Sequence, residues 1–154
     1  MPCWLQIAQG LLTPLIAIIT TYIAWQQWQA TKLKMKMERY ERILNIYQET
    51  HKFISEVIRD LKPQLVQMFG FYSATAEADF ILPPPIREYL DEVFSHANKL
   101  RSANDQYRDY TQEIHPDYDH NKVCEEMKEH SQWFLAQPKI AKEKFKPYLD
   151  LTKA

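Results

Sequence analysis

The chain has 154 residues, a net charge of −1, 25% charged and 45% hydrophobic side chains, which is enough for one folded domain and excludes a wholly disordered polyelectrolyte. Only two glycines occur, which argues against Gly-rich phosphate loops and Rossmann-type turns, and the net charge of −1 gives no sign of a polyanion binder. The charges are unevenly placed: all 19 Lys and Arg and all 20 Asp and Glu lie at or beyond Lys32.

The first expected element is the charge-free run Leu5 to Trp28. Its 24 residues make a helix of roughly 36 Å, against a hydrocarbon core of about 30 Å. Leu15, Ile16, Ile19 and Ile23 supply lipid-facing surface, and Trp25 and Trp28 supply an interfacial anchor opposite Trp4. Thr13, Thr20 and Thr21 can bond to their own helix, and Pro14 is tolerated in a membrane helix. The segment lacks the basic start and small-residue cleavage site of a signal peptide. Lys32, Lys34 and Lys36 follow it, and nothing basic precedes it. The positive-inside rule therefore expects an inner-membrane, single-pass chain, with its N-terminus outside and its body cytoplasmic. The same lysines would meet lipid headgroups. Two domains are expected: an anchor over 1–30 and a cytoplasmic α-helical bundle over 31–154.

From Leu33 apolar residues recur at alternating steps of four and three: Leu33, Met37, Tyr40, Leu44, Tyr47, His51, Ile54, Ile58 and Leu61. Ile43, Ile46, Phe53 and Val57 widen that stripe toward a bundle. No Pro or Gly interrupts Leu15 to Lys62, so the anchor is expected to run on into this helix as a rod of about 70 Å that Pro63 ends. Gly70 is expected to stop the next segment and Ser73 to cap a short helix. Pro83, Pro84 and Pro85 punctuate the chain, and a second long helix is expected over Pro85 to Ile114, with Ile86, Leu90, Val93, Ala97, Leu100, Asn104, Tyr107, Thr111 and Ile114 along its seam. The two long helices are expected to form an antiparallel hairpin. A third helix is expected over Asn121 to Gln137, with Val123, Met127 and Phe134 inward and Pro138 breaking it. Phe145, Tyr148 and Leu151 then pack a last turn. The fold class is all-α, a hairpin or three-helix bundle.

For chemistry, His115, Asp117, Asp119 and His120 form the one metal-like cluster. The alternative is a solvated turn in which Asp119 caps the following helix. No spacing of a known metal or nucleophile motif accompanies it, so no metal, cofactor, catalytic residue or small-molecule substrate is expected. Cys3 and Cys124 are expected on opposite sides of the membrane and therefore do not pair. Tyr40, Tyr47, His51 and Asn104 are expected seam residues, with His51 and Asn104 as polar positions that fix register and can share a layer. Residues 31–62 carry eight basic and five acidic groups, and residues 63–154 carry eleven and fifteen. This charge split fits a topology signal and not a nucleic-acid face.

The blocks LLTPLIAIITTYIAWQQWQ, YERILNIY, EADFILPPPIREYLDEVF and FKPYLDL resemble small bacterial membrane-anchored helical proteins with no assigned activity. The resemblance implies a bacterial or phage origin, an apolar N-terminal helix and a cytosolic helical region. Its motifs are structural, so no active-site residue carries over. The expected role is a non-enzymatic, membrane-anchored interaction or scaffold module that binds a protein partner or a second copy. The rival expectations are an oligomerising membrane effector in stress or phage defence, and a metal-dependent helical enzyme.

Overall fold

The computed structural model describes the backbone of residues 3–108 and 116–150, and within these ranges the side chains of Leu12 and of residue 14 onward. Among these residues the chain is all-α. The elements are α1 Cys3–Asp60, α2 Leu65–Thr75, α3 Ala78–Ile81, α4 Pro84–Gln106 and α5 His120–Phe145, followed by a 3₁₀ turn at Lys146–Tyr148. The packing divides the chain into two units, Met1–Arg39 and Tyr40–Ala154.

In the first unit, every described side chain from Leu12 to Arg39 is exposed. Among the described residues no helix is long and apolar enough to cross a membrane. The apolar run from Leu12 reaches Gln26 and Gln27 too soon to make a span by itself. The membrane span expected over Leu5 to Trp28 is thus not found there; the side chains of Leu5 to Leu11 and of Thr13 lie outside the described residues.

The second unit is a four-helix bundle of the end of α1 with α2, α4 and α5. Its core takes Ile43, Ile46, Phe53, Ile54 and Val57 from α1, Met68 and Phe71 from α2, Ile86, Leu90, Val93, Ala97 and Leu100 from α4, and Phe134, Ala141 and Phe145 from α5. On α1 the buried stripe sits to one side of the expected seam. Ile54 of the seam and the residues that widened it are the core, while Tyr40, Leu44, Tyr47 and Ile58 are half-buried and Leu33, Met37, His51 and Leu61 are exposed. The stripe includes Thr50, whose buried hydroxyl donates to the Ile46 carbonyl at 2.7 Å and so needs no partner helix.

The helix directions follow from cross-contacts. Phe53 stacks on Phe71 at 4.5 Å and Arg42 pairs with Glu77 at 3.2 Å, so α2 runs back along α1. The end of α1 meets the end of α4 where Asn104 donates to the Leu61 carbonyl at 3.0 Å. Tyr107 lies against His120 and His96 against His130, so α5 runs antiparallel to α4, and these two share the closest backbone packing. The two long helices α1 and α4 are therefore parallel and not the expected antiparallel hairpin. Helix α2 spends one full pass between them, which the expectation of a small insert did not allow for.

Local signals explain most boundaries. Helix α1 ends where Leu61 turns left-handed (φ 50°) and its N–H closes on the Val57 carbonyl at 2.8 Å, two residues ahead of Pro63. Gly70 and Ser73 lie inside α2, neither stopping nor capping it. Nothing comes within 4 Å of a Cβ built at Gly70, so the helix passes through it in open space. Pro84 and Pro85 occupy the first turn of α4, where a missing N–H costs nothing. Helix α4 ends at Gln106, short of the expected Ile114; Thr111 and Ile114 lie outside the described residues. Pro138 sits inside α5 and does not break it. Beside it the Gln137 side chain donates to the Trp133 carbonyl at 3.0 Å, while Ala141 and Phe145, buried on the far side, hold the helix to the core.

Candidate functional site

Three features of the described residues stand apart from ordinary bundle packing. The first is the outer part of α1. Leu15, Ile16, Ile19, Ile23, Trp25 and Trp28 are all about half exposed, a run of apolar surface along one helix. Thr20 donates to the carbonyls of Ile16 and Ala17, and Thr21 to that of Ala17, so their hydroxyls are satisfied within the helix. Lys32 places its ammonium 3.6 Å from the Trp28 ring, and Lys34 pairs loosely with Glu38 at 3.8 Å. The apolar run thus ends in a Trp–Lys clasp of the kind that suits a polar boundary.

The second is the outer face of α2. From Pro63 to Ala76 there is no charged residue. Phe71, Met68 and Thr75 turn inward, which leaves Leu65, Val66, Phe69 and Tyr72 on the exposed side. Tyr72 leans on Phe94 of α4, its ring 5.7 Å away. The cause is one of capacity: a helix this apolar on all sides has a single side to bury in a four-helix bundle. The sequence signal that reveals it is the charge-free stretch.

The third is a histidine pair between α4 and α5. His96 Nδ1 and His130 Nδ1 are 3.1 Å apart, with the ring of His96 stacked on Trp133 at 3.9 Å. One ring must donate and the other accept, so the pair holds a proton between its two Nδ1 atoms. Desolvation between the helices is the main cause that pushes His96 below the ordinary imidazole range; His130 and Lys99 push the same way, and Glu92 and Glu129 oppose them. His130 is buried, filling the gap in the inward series Val123, Met127 and Phe134 at helical spacing. That gap was the sequence signal for it. Elsewhere on α4, Tyr89 is buried and its hydroxyl has no hydrogen-bond partner among the described residues; burial raises its phenol's pKa.

Of the metal-like candidates, the described residues Asp117, Asp119 and His120 are not gathered into a metal site. Asp119 accepts the Lys122 N–H at 3.1 Å and caps α5, while His120 lies 3.1 Å from the Tyr118 hydroxyl and 3.5 Å from the Cys124 sulfur. Asp117 is exposed, His115 lies outside the described residues, and among the described residues no three His, Cys, Asp or Glu side chains come together to hold a metal. Nor do the two polar seam positions share a layer. His51 is exposed and 3.5 Å from the Ser55 hydroxyl, whereas Asn104 closes the end of α1. Tyr47 is half-buried against Phe145 at 5.4 Å and Tyr40 is half-buried at the unit boundary. Two grooves among the described residues of the bundle hold about 180 Å³ between α1 and α2 and about 60 Å³ between α2 and α4, below the ~300 Å³ of a typical small-molecule site.

The fold defines an all-α protein, a four-helix bundle preceded in the same chain by an exposed apolar helix. No family model, no curated protein and no solved structure matches the chain.

Proposed function

We propose that this protein is a membrane-anchored, non-enzymatic interaction module, in which the segment from Leu5 to Trp28 sits in the bacterial inner membrane with the bundle on the cytoplasmic side. The observation that carries the reading is the exposed apolar run Leu15 to Trp28 on α1, ended by the Trp28–Lys32 clasp. Counted with the apolar residues that precede it in sequence, the run reaches the length of a span. The lysines at 32, 34 and 36 support the cytoplasmic placement of the body by the positive-inside rule. The uncharged outer face of α2 supports the interaction role, because exposed apolar patches on small domains mark binding surfaces.

Membrane fractionation tests the anchor. The wild-type chain is expected in the pellet after alkaline carbonate washing and in the detergent extract. Arginines at Ile16 and Ile19, each costing about 2.5–3.5 kcal/mol at a helix centre, are expected to release it. A wild-type chain recovered in the soluble fraction of a detergent-free lysate defeats the proposal. Orientation is read from Cys3: labelling by an impermeant thiol reagent in intact cells is expected, and labelling only after permeabilisation reverses the topology.

A further inference from the structure

We infer that the His96–His130 pair is a binding site for one divalent ion of the nickel, copper and zinc class, held between α4 and α5 by the two Nδ1 atoms. The inference goes beyond the interaction role proposed above and does not depend on the anchor.

Two imidazole nitrogens bound to one ion at roughly 2.0–2.1 Å stand about 2.9 Å apart at a right angle and about 3.3 Å apart at the tetrahedral angle. His96 Nδ1 and His130 Nδ1 are 3.1 Å apart, inside that window. The ring planes cross at 85°, with centres 5.0 Å apart, so the two nitrogens approach each other without the rings stacking face to face. His130 is 7% exposed, on the helix that α4 packs most closely, so this ligand is fixed in place. His96 is the ring that adjusts. It is partly exposed, and turning in its own plane preserves its stack on Trp133, which lies 3.9 Å away and parallel within 2°.

The donor atoms select the class of ion. Imidazole nitrogen suits nickel, copper and zinc, whereas magnesium and calcium take oxygen ligands. Burial and the neighbouring His130 lower the proton affinity of His96, so protons compete little at neutral pH. Of the charged side chains that act on His96, Glu92 on α4 and Glu129 on α5 favour an added positive charge and Lys99 on α4 opposes it. Coordination needs both Nδ1 atoms as acceptors. The shared proton therefore moves from Nδ1 to Nε2 of the donor ring, and neither imidazole changes its charge. Two protein nitrogens leave the rest of the shell to water, so the ion binds reversibly. Bound in this way it joins α4 to α5 and stabilises the folded chain by mass action.

The test uses the purified full chain in detergent, without tag histidines, and with Trp4, Trp25 and Trp28 changed to Phe so that Trp133 alone emits. Cu²⁺ is the probe, because it leads the late first-row series in affinity and quenches an indole beside it. Stepwise addition at neutral pH is expected to quench Trp133 to a one-to-one end point. His96→Gln is expected to raise the half-quenching concentration about tenfold or more, with the fold checked by helical circular dichroism. His120→Gln, beside Cys124, is expected to leave it unchanged. Lowering the pH to about 5 removes the same ligands without a mutation and is expected to weaken quenching of the unmutated pair about tenfold. Zn²⁺ at about a hundred times its dissociation constant is expected to raise the melting temperature by about 10 °C, and not that of His96→Gln. Quenching that is indifferent to His96→Gln and to pH, quenching that follows His120 instead, or a melting temperature that Zn²⁺ leaves unchanged each overturn the inference.

Discussion

Acidification should weaken this bundle through one contact, the His96–His130 pair. With both rings neutral, one Nδ1–H donates to the other Nδ1 across 3.1 Å. A first added proton keeps that bond and makes it charge-assisted. A second places two Nδ1–H donors against each other, with ring centres 5.0 Å apart. Burial between the helices, with His130 beside it, lowers the proton affinity of His96 in the folded state. Lys99 on α4 also lowers the proton affinity of His96, and Glu92 on α4 and Glu129 on α5 oppose it. Because the folded value lies below the unfolded one, stability is intact above about pH 6.5 and falls as pH drops through that value toward the folded one. The ceiling is about 1.4 kcal/mol per pH unit for one proton, and the partial exposure of His96 reduces the expected loss between pH ~7 and ~5 to about 1 kcal/mol. For a body of this size that is about 4 °C in melting temperature. The assay is thermal melting by circular dichroism at both pH values, for wild type and for His96→Gln. The variant loses the Trp133 stack at every pH but loses the pH dependence too. Equal pH dependence in the two proteins would falsify the shared-proton account.

Further outcomes follow from the packing. Phe134→Ala, at a fully buried position against Trp133, is expected to cost about 3–5 kcal/mol, while Phe80→Ala, 90% exposed on α3, should stay within about 0.5 kcal/mol by urea denaturation. Asn104→Ala removes the donor to the Leu61 carbonyl and should destabilise by about 1 kcal/mol. Leu61→Gly should act the other way by up to about 1 kcal/mol, because Leu61 holds a left-handed φ of 50° that glycine adopts without strain; a lower melting temperature in that variant would contradict the strain argument. Asp119→Ala should cost about 1 kcal/mol as a lost helix cap and should leave the bound-metal content of the purified protein unchanged.

Much of the helical content could be read from one dimension. The seam Ile86, Leu90, Val93, Ala97 and Leu100 on α4 is buried as its spacing dictates, and Asp119 caps α5 as its position before the helix requires. Punctuation was less dependable. Pro63 follows the end of α1 and the Pro83–Pro85 run opens α4, but Pro138 and Gly70 lie within helices because packing on either side outweighs their local cost.

By itself, then, the sequence determined that the chain is helical, that its charges begin at Lys32, and which face of α4 is buried, because helical period and charge are properties of neighbours along the chain. Tertiary structure decided what depends on residues far apart. It set the parallel course of α1 and α4, the shift of the α1 core toward Ile43, Ile46 and Phe53, and the use of Asn104 as a cap on a helix 43 residues earlier. It also brought His96 against His130 and left Leu65, Val66 and Phe69 outward, because a bundle of four helices has one interior and a uniformly apolar α2 can give it only one side.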